Sequence, residues 1–148
     1  MVRPKRLGHI VLRVRDLERS VNFYSEILGL KTTFCMSDEM HFMSASGDSS
    51  HELALIPIGD EAQSPDLNML GLYHFAWEMN SMEDLKYLYL KLQRKHVEIS
   101  GIGDHGISLG IYFADPDGNK IEIFYELPKE EWPEDEIFSG TFPYELNN

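Results

Sequence analysis

GHIVLRVRD, residues 8–16, is the stretch that decides the fold, because YHFAWEMNS, residues 73–81, repeats its pattern in the second half of the chain. Each stretch is largely apolar, as in a buried strand. Each ends on a residue type that caps helices, Asp16 in the first stretch and Ser81 in the second. The chain therefore contains an internal repeat, and the fold follows from the contents of one repeat.

The first repeat is predicted to contain one strand, one helix and three further strands. The helix begins after Asp16 and ends at Gly29, a residue that commonly ends helices. Its apolar face consists of Leu17, Val21, Tyr24 and Leu28. Three strand-like segments follow, at residues 31–35, 40–44 and 51–57.

The second repeat has the same order. A strand at residues 73–79 leads to a helix that Ser81 caps, and its apolar face is Leu85, Leu88 and Leu92. Further strands are predicted at residues 96–100, 107–114 and 120–125, with the turn DPDGN between the last two. We therefore predict an α+β fold in which two βαβββ repeats form one curved mixed sheet around a shared cleft.

The 148 residues are predicted to form a single domain, long enough to bury a core without disulfides. The first repeat covers about residues 6–57 and the second about residues 72–126. Residues 58–71 between them are rich in Pro, Gly and acidic residues and are predicted to be a linker. Residues 127–148 form a tail rich in Pro and Glu, which we expect to pack over the outside or at an oligomer edge.

Composition excludes several classes of protein. The formal net charge is −12, whereas nucleic-acid binding requires clustered Lys and Arg. No run approaches the ~18 apolar residues that a membrane span needs. We predict no signal peptide, and the single cysteine, Cys35, excludes an intrachain disulfide. These features predict a cytoplasmic protein without nucleic-acid or membrane partners.

Four side chains stand at matched positions of the repeat. His9 and His74 each lie seven residues before a helix cap, and His51 and Glu122 each lie four residues after a turn glycine. A pseudo-twofold axis would place the four side chains in one cleft, because side chains alternate across a strand. Glu122 interrupts the apolar strand KIEIFYE, and a buried carboxylate needs a partner. Histidine and carboxylate ligands suit Fe(II), Mn(II), Zn(II) or Ni(II).

The paired architecture, with a histidine in the first strand of each half and DPDGNKIEI near the end, resembles the vicinal oxygen chelate superfamily. The resemblance covers roughly residues 6–126. It implies that His9, His74 and Glu122 hold one divalent metal ion per chain. It also implies a homo-oligomer, a dimer or higher, because small members of this family often pair.

A second motif narrows the resemblance to one-module type I extradiol ring-cleaving dioxygenases. GDHGISLGIYFADPDGNKIE, residues 103–122, resembles the signature of these enzymes. The matching positions are His105, Tyr112, Asp115, Pro116, Gly118 and Glu122. HELALIP, residues 51–57, resembles the strand that carries the acid/base histidine of the family. Larger extradiol enzymes commonly carry two such modules, whereas this chain carries one.

The resemblance implies an extradiol dioxygenase of the catechol 2,3-type, an oxidoreductase that inserts O2 into a small aromatic diol. Its metal would be Fe(II), with Mn(II) as the alternative. His51 would be the acid/base, and His105 and Tyr112 would hydrogen-bond the substrate oxygens. His41 and His96 have no place in this site and are predicted to be ordinary surface or strand histidines. Cys35 is predicted to be a core residue, because no motif pairs it with a base.

Two alternatives remain open. A metal-dependent lyase or isomerase of glyoxalase or epimerase type places a carboxylate or amide where His51 stands, and a one-residue shift in register would supply Glu52. A metal-free binding or resistance protein of the bleomycin-resistance kind has no need of the His9, His74 and Glu122 set.

Overall fold

The computed structural model of the chain describes residues 1–66, 68–134, 138, 140–141 and 144–146. Its contacts divide the chain into two compact units, Met1–Ser64 and Pro65–Asn148. The boundary falls inside the predicted linker, and each unit contains one strand, one helix and three strands, as predicted. Several residues of the predicted tail lie outside the described part. No helix in the described ranges is long and apolar enough to cross a membrane.

The first unit is a helix against a four-stranded mixed sheet. Its elements are β1 (Ile10–Val14), α1 (Leu17–Leu28), β2 (Lys31–Met36), β3 (Met40–Ser44) and β4 (Leu53–Pro57). The strand order is β1-β4-β3-β2, with β1 parallel to β4 and the other neighbours antiparallel. The parallel pair requires a crossover, and α1 lies within the connection from β1 that provides it.

Both predicted ends of α1 are confirmed. The Asp16 side chain accepts a hydrogen bond from the Arg19 amide at 2.8 Å. Gly29 ends the helix in the left-handed region, with φ 73°, and its N–H donates to a carbonyl of the last turn. The buried face differs in part from the prediction: Tyr24 is buried as predicted, but its buried neighbours are Ser20 and Ile27, whereas Leu17, Val21 and Leu28 are half-buried. The helical period predicts an apolar face but not how the helix is rotated on the sheet. Contact with the sheet decides which residues are buried.

The second unit has the same architecture. Its elements are β5 (Phe75–Glu78), α2 (Met82–Arg94), β6 (Ile99–Asp104), β7 (Ser108–Ala114) and β8 (Lys120–Glu126), followed by a 3₁₀ turn at Lys129–Glu131. The strand order is β5-β8-β7-β6. The predicted cap is confirmed, since Ser81 Oγ accepts from the Asp84 amide at 3.1 Å. The predicted apolar face of α2 is also confirmed, with Leu85, Leu88 and Leu92 buried.

Three further details differ from the sequence prediction. The eight strands form two four-stranded sheets, where one continuous curved sheet was predicted. β6 begins at Ile99, because the chain leaves α2 through an exposed loop in which His96 adopts φ 55°. Cys35 is exposed and not a core residue, because β2 is an edge strand whose six residues are all exposed. Its Sγ lies 2.6 Å from Nε2 of His41, the residue opposite on β3.

Strand alternation gives the second sheet two chemically different faces. The face toward α2 carries the fully buried side chains of Ile111, Ile121 and Ile123. The opposite face carries Tyr112 and Glu122, which are paired in register across β7 and β8. A core on one face therefore leaves the other face for polar groups.

The turn DPDGN determines where β8 begins. Asp115 is 5% exposed, and its Oδ1 accepts hydrogen bonds from the amides of Asp117 and Asn119, each at 2.9 Å. Its Oδ2 accepts from Asn119 Nδ2, also at 2.9 Å. Glu122 follows three residues after this turn, so the Asp115 carboxylate helps to set the register in which Glu122 enters the sheet.

Replacing Asp115 with alanine is expected to lower the free energy of unfolding by about 3 kcal/mol. The reason is that three hydrogen bonds to a charged and buried acceptor are lost together. Urea denaturation of the variant and the wild type measures the difference. Asp38→Ala, in the exposed turn between β2 and β3, is the control and should change stability by less than ~0.5 kcal/mol. Equal midpoints for the two variants would contradict the role given to Asp115.

Candidate active site

A cavity of about 320 Å³ opens on the face of the second sheet that lies away from α2. Its lining residues are His74, Ala76, His105, Ser108, Tyr112, Glu122, Phe124 and Phe138. The polar groups come from separate elements: His74 directly precedes β5, His105 lies between β6 and β7, and Tyr112 and Glu122 belong to β7 and β8. Four of the six residues predicted for the site therefore line one cavity.

These four side chains form a connected polar array. Glu122 Oε2 lies 3.1 Å from His74 Nε2, and the Tyr112 hydroxyl donates to Glu122 Oε1 at 2.8 Å. His105 Nε2 lies 2.8 Å from the Tyr112 oxygen and 3.9 Å from Glu122 Oε1. Because the Tyr112 hydroxyl proton is directed at Glu122, its oxygen accepts from His105, which requires the tautomer of His105 with a proton on Nε2.

Tyr112 remains a phenol in this setting. Burial raises the pKa of its hydroxyl well above the usual value, and the hydrogen bond to Glu122 and the charge of that carboxylate raise the pKa further. Tyr112 is therefore a hydrogen-bond donor at neutral pH and not a base. A neutral hydroxyl can donate a hydrogen bond to a substrate oxygen, and because it carries no negative charge it does not compete with Glu122 for a cation.

Gly110 is a site residue that the sequence analysis missed. A β-carbon built at this position would lie 2.2 Å from Glu122 Oε1 and 3.3 Å from the Tyr112 hydroxyl. The carboxylate therefore occupies the space that any side chain at position 110 would need. A glycine inside the predicted strand 107–114 was the available signal, because such a glycine often marks a close approach of another group.

His9 and His51 lie together in the first unit. Their ring centroids are 4.4 Å apart, and the Phe42 ring meets His51 edge-on at 5.0 Å. His51 Nδ1 lies 2.9 Å from the Ser50 hydroxyl. His9 is exposed and directly precedes β1, and His51 stands two residues before β4. The convergence of this histidine pair with Glu122 remains a prediction from the repeat.

Glu52, the carboxylate of the isomerase alternative, is bound within the β3–β4 loop. Its Oε2 accepts from the Ala45 amide at 3.0 Å, and its Oε1 accepts from the Ser49 hydroxyl. Partial burial alone would raise the pKa of the Glu52 carboxyl, but these hydrogen bonds and the charge of Arg6 outweigh it and lower the pKa. The carboxylate therefore stabilises a loop.

The donors in the second unit suit a divalent metal ion. His74 Nε2 and Glu122 Oε2, which lie 3.1 Å apart, are an imidazole nitrogen and a carboxylate oxygen, the donor types that Fe(II), Mn(II) and Zn(II) take. His74 Nδ1 is buried and has no hydrogen-bond partner among the described residues. Across that same part of the chain, no group of three or more His, Cys, Asp or Glu side chains converges to hold a metal. The pair fits a metal in the chemistry of its donors, and the third ligand remains the predicted His9.

Comparisons with known proteins agree with this fold. The family model described as "Glyoxalase/Bleomycin resistance protein/Dioxygenase superfamily" matches residues 6–123. A glyoxylase/bleomycin resistance protein/dioxygenase domain from Frankia sp. EAN1pec superposes with a TM-score of 0.71, covering 84% of this chain and 99% of that one. Its sequence identity is 23%, so this likeness concerns the fold alone.

Two curated proteins share more sequence with the chain. It is 32% identical over 130 residues to a catechol-2,3-dioxygenase of Bacillus subtilis (strain 168), covering 87% of this chain and 44% of that protein. It is 30% identical over 132 residues to a manganese-dependent 2,3-dihydroxybiphenyl 1,2-dioxygenase of Geobacillus genomosp. 3, covering 87% and 39%. The chain spans less than half the length of either relative.

Proposed function

The chain belongs to the Glyoxalase/Bleomycin resistance protein/Dioxygenase superfamily, and from this premise we propose that it is a metal-dependent extradiol dioxygenase. The reaction adds both atoms of O2 across one carbon–carbon bond of a catechol-type ring, which opens the ring. No other oxidant or reductant is consumed. The substrate is a small aromatic diol.

The observation that carries the proposal is the array His105–Tyr112–Glu122–His74 in one cavity. Three of these residues stand at the spacings of the extradiol signature that residues 103–122 resemble. The relatives at about 30% identity are named as dioxygenases of aromatic diols, which supports the same substrate class.

His74 and Glu122 would hold the metal, with His9 as the third ligand. Bound Fe(II) or Mn(II) supplies there the redox and Lewis-acid chemistry that a diol and O2 need in order to react. One relative is named as manganese-dependent, so Mn(II) remains an alternative to Fe(II). Three protein ligands leave coordination positions for small molecules.

The remaining residues bind the substrate and move protons. In the cavity the Tyr112 hydroxyl donates to Glu122 and Nε2–H of His105 donates to the Tyr112 oxygen; with a diol bound, both groups would donate to its oxygens instead. His51 has its Nδ1 beside the Ser50 hydroxyl, so we assign proton exchange with the substrate to its Nε2. The isomerase alternative needs the Glu52 carboxylate in the site. Because hydrogen bonds hold Glu52 within its loop, we assign this position of the site to His51.

The proposed function is tested by anaerobic purification with metal analysis, followed by oxygen uptake on a panel of catechols. We expect one equivalent of Fe or Mn per chain and one O2 consumed per catechol, with a product that gains the mass of O2. Metal retention without oxygen uptake on any catechol, together with turnover of a glyoxalase or epimerase substrate, would establish the isomerase alternative.

His51→Asn is expected to keep the metal and the bound catechol, while ring cleavage slows by roughly 10²–10⁴-fold. Asparagine can still hydrogen-bond but does not exchange a proton near neutral pH. Metal analysis, catechol titration and oxygen uptake measure the three quantities. His96→Asn is the matched control, because His96 is exposed in a loop at φ 55°, a conformation that asparagine tolerates. Loss of metal in His51→Asn would show instead that His51 is a ligand.

The homo-oligomer and the cytoplasmic location expected from the sequence stay predictions. Gel filtration with light scattering measures the oligomeric state.

A further inference from the structure

Thr141 and Tyr144 of the tail are hydrogen-bonded to the edge strand of the second sheet. The Asp104 amide donates to the Thr141 carbonyl at 2.9 Å, and the Tyr144 amide donates to the Ile102 carbonyl at 2.8 Å. The partners rise from Thr141 to Tyr144 in the tail as they fall from Asp104 to Ile102 on β6, so the two contacts are in antiparallel order. β6 is the edge strand of its sheet, and the tail uses backbone groups that the edge leaves available.

Gly140 brings the tail into close contact with the turn that carries His105. A β-carbon at position 140 would lie 1.9 Å from the Asp104 carbonyl oxygen and 2.6 Å from the Gly106 amide nitrogen. Both neighbours are backbone atoms, which cannot move aside as a flexible side chain can. Glycine is therefore required for the tail to reach this position.

Phe138 stands two residues before this contact and lines the candidate active site. Its side chain is 74% exposed, whereas Glu122 in the same cavity is 9% exposed. Glu122 thus lies deep in the cavity, and the phenylalanine lies at its mouth. A diol whose oxygens lie deep in the cavity, at Tyr112, would direct the opposite side of its ring toward the mouth, where Phe138 lies.

We propose that the tail bound to β6 positions Phe138 as a substrate-contacting residue, which packs against the ring substituent of the diol. The inference rests on the proposed function for the nature of the ligand. The inference adds that a catechol with an apolar substituent contacts Phe138 at the mouth of the cavity, whereas unsubstituted catechol does not. It also gives the predicted tail a role in the site of its own unit.

Phe138→Ala should raise KM for alkyl- or aryl-substituted catechols by about 10-fold or more, as expected for a lost apolar contact. The increase for unsubstituted catechol should be smaller, and most of the effect should fall on KM and not on kcat. The matched control is Phe34→Ala, because Phe34 is a 59% exposed phenylalanine on β2 of the first unit. Phe138→Leu, which keeps an apolar side chain, should recover most of the affinity.

Gly140→Ala tests the anchor from a residue that does not itself line the cavity, although its β-carbon would meet the backbone on both sides of His105. Its β-carbon should break the pairing, so the amides of Asp104 and Tyr144 should exchange with deuterium faster than in the wild type. The same variant should reproduce the KM change of Phe138→Ala. Gly71→Ala is the control, since nothing lies within 4 Å of a β-carbon at that position.

The outcomes separate the inference from the proposed function. Unchanged deuterium exchange in Gly140→Ala, or equal affinity of wild type and Phe138→Ala for a substituted catechol, overturns the inference and leaves the dioxygenase proposal standing. A wild type that takes up no oxygen with any catechol overturns the proposed function, and the exchange measurement still decides whether the tail is anchored at Gly140.

Discussion

Replacing Glu122 with alanine is expected to abolish metal retention and, with it, oxygen uptake. Glu122 is 9% exposed and is the only described carboxylate in contact with His74. Without it, the cavity offers imidazole and phenol but no anionic donor, and hard divalent ions bind such a set weakly. Metal content measured after gel filtration should fall from one equivalent per chain to less than about a tenth, as expected when a ligand is removed.

Two further variants separate ligand loss from unfolding. Glu122→Gln keeps the shape of the side chain and an oxygen that can accept from Tyr112, so it should fold like the wild type and still lose metal. Glu126→Ala removes a carboxylate from the same strand, β8, away from the cavity, and should keep its metal. Full metal content in Glu122→Ala would mean that the ligand assignment is wrong.

Replacing Gly110 with alanine is expected to lower oxygen uptake by about 100-fold, although the change adds only one methyl group. The new β-carbon would lie 2.2 Å from Glu122 Oε1, so the carboxylate must leave its present position. Displacement of a catalytic group by about 1 Å can cost a factor of that size. Elsewhere in a strand, Gly→Ala is neutral or favourable, because it reduces the freedom of the unfolded chain.

Gly71→Ala is the control for this variant as well, because its β-carbon meets open space. Metal content and oxygen uptake should both fall in Gly110→Ala, while the thermal unfolding midpoint changes little. A Gly110→Ala protein with normal metal content and normal turnover would show that Glu122 can act from a different rotamer. The site would then not require glycine at position 110.

Features set by local chemistry were predictable from the sequence. Asp16 and Ser81 cap their helices through their own side chains, and Gly29 ends α1 because it tolerates positive φ. The DPDGN turn forms around the Asp115 side chain, so it requires no distant partner. The repeated order of these signals was enough to predict two βαβββ units, which the family match and the solved neighbour confirm.

Features that depend on what packs against a segment were not predictable. The face of α1 that is buried, and the exposure of Cys35, follow from which strand lies beneath the helix and which lies at the edge. The sequence predicted a core cysteine because no motif pairs Cys35 with a base, and the pattern of a short strand does not show whether it lies at the edge of its sheet.

The sequence by itself determined the repeat and the residue types of the site, because caps, turns and strand alternation act over a few neighbouring residues. Only the tertiary structure decided how Glu122 is held. Gly110 leaves space for the carboxylate from the next strand, and Tyr112 donates to it across the β7–β8 pair. The tail reached β6 in the same way, through backbone contacts at Gly140 that no local pattern encodes. Such contacts join residues distant in the chain, and their geometry exists only once the sheet has formed.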